Sequence, residues 1–567
     1  LLREDGWNLS NRYGLSWAVD QFGSDSLQPP IALGAAESLG ALFRDSATRY
    51  AARNALWVDG TLISYAELLT LASRIAHALK EAGLGGGGER CAVLGNRGLI
   101  DFAGVLGASL ARATFVPLNV RHPPQRLVQS VHDAGASALV VDNRHVDNAR
   151  TLLEAVARPV LVLLPDCLAA PDWAARLLRH RFLCRGELAR TDAEGIGQGR
   201  PDDGAYLLFT SGSTGVPKGV LVRNRNIMPY LGSVAARYAP SPEDRCTQLF
   251  GLNFDLSVHD MFTCWSGGGT LFRVPDSARF APRDFVRRHK LTVWFSVPST
   301  AAMMLGLRAL RPDDFPSLRL SLFCGEALPK RVALAWAAAA PNSVLDNLYG
   351  PTECTVAFTA YRIPRDRDAQ AALPDVIPIG APLAGQRAAV VEPGGAGLLR
   401  NGEGELCLAG SQVTGGYWRR PDLTAERFLH FPWDRDTHAW YRTGDRVRPD
   451  AEHGLLFLGR LDRQVKIAGH RVELEEVEAA LSEAADGNAA AIAWPLGDDG
   501  LARGIIGFIG PATRPIDGML DACRRKLPPY AVPSALYRVA DWPRNSSGKT
   551  DYRRLRELME TSQCRKT

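Results

Sequence analysis

The densest chemical signal in the chain is Leu207-Leu208-Phe209-Thr210-Ser211-Gly212-Ser213-Thr214-Gly215-Val216-Pro217-Lys218-Gly219, where an apolar strand opens into a loop of hydroxyls and glycines. Glycines let backbone N–H groups approach an anion closely, the hydroxyls of Thr210, Ser211, Ser213 and Thr214 add donors, and Lys218 adds a charge that can follow a polyphosphate. This is chemistry for nucleotide phosphates. The spacing departs from the GxxxxGK[ST] template, because Lys218 follows Pro217 and precedes Gly219, so an ordinary P-loop NTPase is the wrong inference. A flexible surface loop is the alternative reading of the same residues.

Further constellations carry carboxylates and cations. In Tyr349-Gly350-Pro351-Thr352-Glu353 a rigid Gly-Pro turn presents an aromatic face on one side and a carboxylate on the other, suited to stacking a base and binding a hard cation. Asp445 closes Tyr441-Arg442-Thr443-Gly444-Asp445 and is an acceptor-only group or a turn cap. Gly459-Arg460-Leu461-Asp462-Arg463-Gln464-Val465-Lys466 reads by default as a run of surface charges. Asp255, in Phe254-Asp255-Leu256-Ser257-Val258-His259, stands between an aromatic and the start of an amphipathic helix, where it is a candidate N-cap.

Together with Ile63-Ser64-Tyr65-Ala66-Glu67-Leu68 and Asn347-Leu348, these blocks resemble, in order and at fitting separations over about residues 38–555, the adenylate-forming superfamily. That superfamily includes the adenylation domains of nonribosomal peptide synthetases, acyl-CoA synthetases and luciferases. The resemblance implies that Thr210, Ser211, Gly212, Ser213, Thr214, Gly215 and Lys218 hold the ATP phosphates, with Gly325, Glu326, Asn347 and Gly350 as further nucleotide contacts. It implies that Tyr349 stacks on adenine, Thr352 contacts the α-phosphate, Glu353 coordinates Mg²⁺ and Asp445 accepts from both ribose hydroxyls. Arg460 and Lys466 match cations near the ribose and phosphates, and Asp462 matches the hinge of a small mobile domain. Lys549, in Asn545-Ser546-Ser547-Gly548-Lys549, matches the catalytic lysine, although many relatives have Asn-Gly-Lys there. A lysine in that position bridges the substrate carboxylate and the α-phosphate.

In amino-acid-activating members the residue matching Asp255 pairs with the substrate α-ammonium. The other positions carried over into that pocket are Leu256, His259, Ser296, Leu322, Cys324, Leu348, Val356 and Ala357. The set most nearly resembles pockets for small polar or sulfur-containing amino acids, with Ala357 leaving proline-like and nonproteinogenic ones also open. The implied activity is ATP-dependent formation of an aminoacyl-adenylate with release of pyrophosphate. Transfer to the phosphopantetheine thiol of a carrier protein on a separate chain follows, with the Ile467-Ala468-Gly469-His470 region turned toward the thiol. An acyl-CoA or aryl-acid synthetase using free CoA is the alternative, and a noncatalytic binding homologue a more distant one.

The elements that must position these residues alternate. From Cys91 onward short apolar runs at 91–94, 114–118 and 138–141 alternate with amphipathic stretches at 100–111 and 124–133, which is the pattern of an α/β sheet domain. A second such unit follows Leu207, with helices expected at 226–238 and 283–289 and strands at 270–274 and 292–295. Between about 380 and 457 short strand-like pieces split by Gly and Pro predict a β-rich subdomain. Beyond Gly459 a small α+β domain is expected, with strands at 464–467, 490–494 and 504–509 and helices at 473–485 and 516–527. The organisation is thus an extension over 1–30, a large core over 31–459 and a small C-terminal domain over 460–560.

With 567 residues, 46% apolar and 22% charged, the chain is folded and multidomain. A formal charge of +5 without long runs of one sign gives no signal for nucleic acid. No apolar stretch approaches the roughly 18 to 20 residues of a membrane span. Ten scattered cysteines without a CxxC pair predict neither disulfide framework nor zinc site, which points to a reducing cytoplasm.

Overall fold

The computed structural model describes residues 33–188, 196–212, 217–278, 282–392, 397–399, 401–434, 438–497, 501–510, 518–545 and 549–560, with the backbone of 565–566. The expected extension over 1–30 and the loop residues Ser213, Thr214 and Gly215 lie outside them.

Two large sheets form the frame. One has seven strands in the order Arg181–Cys184, Leu161–Leu164, Ala138–Val141, Arg90–Gly95, Thr114–Asn119, Gly204–Thr210 and Lys218–Arg223. It is parallel except for its last pair, in which Gly204–Thr210 and Lys218–Arg223 run antiparallel and flank the glycine-rich loop. The other has nine strands, in the order Ala381–Pro382, Thr359–Arg362, Val344–Tyr349, Leu320–Phe323, Val293–Ser296, Arg245–Gln248, Thr270–Arg273, Asn54–Val58 and Thr61–Ser64. Its central strands are parallel, and their fully buried runs such as Leu320–Phe323 are what a sheet covered on both faces requires.

Helices fill the space between the sheets. Leu99–Leu110, mostly apolar and buried from Ile100 onward, lies on the seven-stranded sheet. Leu256–Ser266 lies on the nine-stranded sheet, and Leu39–Arg49 touches both helices. Tyr65–Glu81 begins with a capping box, in which Glu67 N–H donates to Ser64 Oγ at 3.2 Å and Ser64 N–H to Glu67 Oε2 at 2.8 Å. One hydrophobic cluster runs from Leu39 to Leu455 through both sheets and locks them together.

A third sheet pairs Gln386–Val391, Gly404–Gly410, Trp440–Asp450 and Phe428–Leu429, with Gly454–Arg460 beside Trp440–Asp450, and is the expected β-rich subdomain. Beyond it the hairpin Val465–Ile467/His470–Val472 and a sheet of Ala489–Ala493, Ile505–Ile509, Ala535–Arg538 and Arg565–Lys566 carry the helices Leu474–Ala485 and Met519–Lys526. The fold is therefore a large α/β domain with mixed sheets and a small α+β domain. Boundaries from the sequence are met to within three residues at most of these elements; the helix expected at 516–527 spans Met519–Lys526, and a further helix, Tyr552–Glu560, follows.

Candidate active site

The site lies where the ends of both large sheets face the small domain. A cavity of about 390 Å³ is lined by Thr210, Ser211, Asp255, Leu256, Cys324, Gly325, Glu326, Asn347, Leu348, Tyr349, Gly350, Thr352, Val356, Asp445, Arg460 and Lys466, all expected from the sequence. A second cavity of about 930 Å³ adjoins it, and Phe254, Leu256, Gly469, Ala502 and Tyr530 line both.

Tight turns set these walls. A Cβ on Gly350 would lie 2.7 Å from Ala357 Cα, so only glycine lets the Tyr349–Glu353 turn fold back on the following chain. Thr355 and Val356 both have positive φ, 59° and 69°, a conformation that β-branched residues rarely adopt. Gln412 holds them: its Nε2 donates to the carbonyls of Thr355 at 3.3 Å and Ala357 at 2.8 Å, and its own carbonyl accepts from Thr355 Oγ1 at 2.6 Å. Val356 thereby faces the cavity.

Asp255 occupies the N-cap position of Leu256–Ser266, yet its side chain makes no capping bond. It is buried, and its Oδ2 has no hydrogen-bond partner. Burial raises this carboxyl to about 6, against the opposing influence of a Thr352 hydrogen bond and the nearby Lys466. Lys466 is accessible to solvent within the cleft while the cleft walls ring it.

Other expected pocket residues stand apart. His259 is buried, with Nδ1 2.7 Å from the Tyr230 hydroxyl and its ring 4.5 Å from Phe295, and burial lowers it to about 3. It is a neutral packing residue rather than part of the cavity lining. Ser296 accepts from Trp294 Nε1 at 2.9 Å, donates to Val297 O at 3.1 Å and lines the larger cavity instead. Leu322 and Ala357 are buried behind the walls.

The nucleotide-side residues form a charged lattice. Tyr349 donates its hydroxyl to Asp445, which also pairs with Arg460 at 2.8 Å. Arg460 in turn holds Asp462 at 2.6 Å. Asn347 donates from Nδ2 to Pro378 O at 2.9 Å, leaving its buried Oδ1 without a partner. Gly212 is buried beside Ser211. Lys218 is buried behind the cleft wall, 3.2 Å from Glu473.

Glu353 is fully buried and accepts from Tyr417 at 2.7 Å and from Arg471 Nη1 at 3.0 and 3.1 Å. Burial alone would raise its carboxyl, but Arg471 and Lys218 outweigh it and hold the group at about 2. Among the described residues no cluster of three or more His, Cys, Asp or Glu is placed to hold a metal. A single carboxylate such as that of Glu353 still suits Mg²⁺, which is ordinarily bound by one or two carboxylates with substrate phosphates and water. In this arrangement Arg471 engages both of its oxygens.

Lys549 is not brought to the cleft. It is exposed, its N–H donating to Asn545 Oδ1 at 3.0 Å, and the hairpin of the small domain faces the cleft instead. Ala468 and Gly469 form that hairpin's two-residue turn, both with positive φ. Gly469 N–H donates to Glu326 Oε1 at 2.7 Å, and a Cβ there would lie 2.4 Å from Val297 Cγ1. Arg471, Glu473, Tyr417 and Tyr530 were not singled out from the sequence. Arg471 lies in the strand His470–Val472 and Glu473 is the N-cap of helix Leu474–Ala485.

The family model for AMP-binding enzymes matches residues 43–418. The chain is 33% identical over 521 residues to an L-proline–[L-prolyl-carrier protein] ligase of Streptomyces coelicolor, covering 90% of this chain and 95% of that one. It is 31% identical to the delta-poly-L-ornithine synthetase of Acinetobacter baumannii, spanning 37% of its length. Among solved structures, the adenylation domain AlmE of Vibrio cholerae, in complex with glycyl-adenosine-5'-phosphate, aligns with a TM-score of 0.83 at 30% identity, over 95% of this chain and all of that one. The cleft and these matches agree: the chain belongs to the AMP-binding enzymes of the adenylate-forming superfamily.

Proposed function

We propose that the protein activates an amino acid with ATP and passes the aminoacyl group to the phosphopantetheine thiol of a carrier protein. The unpartnered Oδ2 of buried Asp255 carries this reading. A buried carboxylate oxygen without a hydrogen-bond partner is costly even with Lys466 nearby, and the α-ammonium of an amino acid supplies that partner. A fatty or aryl acid would leave it unpaired. The relatives, a prolyl-carrier protein ligase, a poly-L-ornithine synthetase and an adenylation domain bound to glycyl-adenosine-5'-phosphate, support the same class.

In the first step a carboxylate oxygen attacks the α-phosphorus, the bond to the β-phosphate breaks and pyrophosphate leaves. Asn347 Oδ1 and Tyr349 receive the base, Asp445 the ribose, and the loop around Thr210–Lys218 the phosphates. Glu353 would hold Mg²⁺, which neutralises phosphate charge when bound. Lys549 belongs to this step, reached by rotation of the small domain about Asp462, the boundary we assign between core and lid. In the second step the thiol sulfur attacks the acyl carbon and AMP departs. The observed arrangement suits this step, because the Ala468-Gly469 turn lies at the junction of the two cavities and the larger one, past His470 and Tyr530, is a path for a pantetheine arm.

The prolyl ligase, named for the carrier protein it loads, supports a carrier protein as the acceptor. All nine described cysteines are free, which supports work in a reducing compartment such as the cytoplasm; no described helix is long and apolar enough to cross a membrane. The test is pyrophosphate exchange across the proteinogenic amino acids, several nonproteinogenic ones, and fatty and aryl acids. Exchange with an amino acid is expected, and exchange confined to acids lacking an amino group would sink the proposal.

A further inference from the structure

The small domain is held in its observed place by a contact that lies outside both cavities. Arg126, in the first turn of helix Pro124–Ala134, meets Glu476, in the first turn of helix Leu474–Ala485, with Nη1 2.5 Å from Oε1. The two side chains are only 8% and 5% exposed. Helix Met519–Lys526 of the small domain lies against the same large-domain helix. Just before that helix His122 meets the edge of Tyr530, whose ring stacks on His470 at 3.6 Å. Helix Pro124–Ala134 is thus the platform on which the hairpin-bearing domain sits.

The energetics single out the ion pair. Two ions buried together nearly balance their own desolvation, but one of them buried alone is strongly unfavourable. If the small domain swings away, both ends of the pair meet water. Removing one partner therefore penalises the docked arrangement and leaves a swung-out arrangement untouched.

We propose that Arg126 and Glu476 are positioning residues for thiol transfer: their ion pair fixes the docked small domain with its Ala468-Gly469 turn at the cleft, and it plays no part in forming the adenylate. The inference rests on the reading that adenylate formation uses a second arrangement of the small domain.

The test uses the full chain with Arg126→Ala and the exchanged pair Arg126→Glu/Glu476→Arg. Amide hydrogen exchange across 465–476 in the ligand-free protein reports docking directly. Pyrophosphate exchange with the amino acid found in the substrate panel reports the first step, and transfer of that aminoacyl group to pantetheine, used as a soluble thiol, reports the second. Arg126→Ala is expected to speed amide exchange severalfold and to slow transfer about tenfold or more, with pyrophosphate exchange within about twofold of wild type. The exchanged pair is expected to recover both. Wild-type amide exchange and wild-type transfer in Arg126→Ala would overturn the proposal, as would a matching fall in pyrophosphate exchange. If the wild-type protein exchanges pyrophosphate with no amino acid, the functional reading fails while the amide exchange still decides for or against the clasp.

Discussion

Replacing Asp255 by Asn separates function from stability, because the two effects have opposite signs. The amide keeps the shape of the carboxyl and removes its charge. Burial raises this carboxyl from 3.8 to about 6, so the folded protein holds its proton more tightly than the unfolded chain does. Stability therefore falls as the pH climbs from about 4 to about 6 and stays reduced at neutrality, by about 3 kcal/mol for a rise of that size. Asp255→Asn is expected to recover up to about that amount at pH 7 and to flatten this part of the pH dependence. Toward substrate the same change leaves a buried ammonium without its counter-ion, which costs about 3 to 5 kcal/mol, or about two to four orders of magnitude in kcat/KM. In the wild type, kcat/KM should drop about tenfold per pH unit below about 6, as the carboxylate is neutralised. Pyrophosphate exchange against pH, with denaturant unfolding of both proteins, measures all of this. A variant that keeps kcat/KM within about threefold of wild type, or that unfolds more easily, would refute the reasoning.

Lys549→Ala is expected to slow pyrophosphate exchange about a hundredfold or more, the usual cost of losing a preorganised contact to the transition state, while transfer from supplied aminoacyl-adenylate to pantetheine stays near wild type in single-turnover assays. Glu353→Gln should raise the free Mg²⁺ needed for half-maximal pyrophosphate exchange by about tenfold or more, since it removes the carboxylate that fits the metal; an unchanged titration would reassign the residue. His259→Leu should cost about 1 to 3 kcal/mol by leaving the buried Tyr230 hydroxyl without its partner, and the order of preference among amino acids should not move. A changed order in the substrate panel would return His259 to the pocket.

Residues whose roles are local were legible in the sequence. The glycine-rich loop, the Gly350-Pro351 turn and the Ser64/Glu67 capping box depend on neighbours a few positions away, and the period of the apolar runs located the strands that carry them. The pocket was legible only in part. Whether His259 faces a cavity or a tyrosine depends on Tyr230, a residue on another helix, and no local pattern reports that. Partnerships across the chain were not legible at all: Glu353 meets Arg471 across 118 positions, and Arg126 meets Glu476 across 350. Lys549 shows the same limit from the other side, because its motif marks a role while its place depends on how two folded bodies are set against each other.

The apolar clusters of the molecule divide at nearly the same place as its sheets. Those of the large domain draw on residues between Leu39 and Leu455, joined by Leu501, and those of the small domain on residues between Ile467 and Leu555. Parting the domains therefore opens ion pairs, hydrogen bonds, one leucine contact and the ring contacts of His122 with Tyr530 and Phe254 with His470, and leaves both interiors closed. A lid built this way can travel far without loosening, and heating should melt it in an endotherm of its own, separate from that of the body it covers.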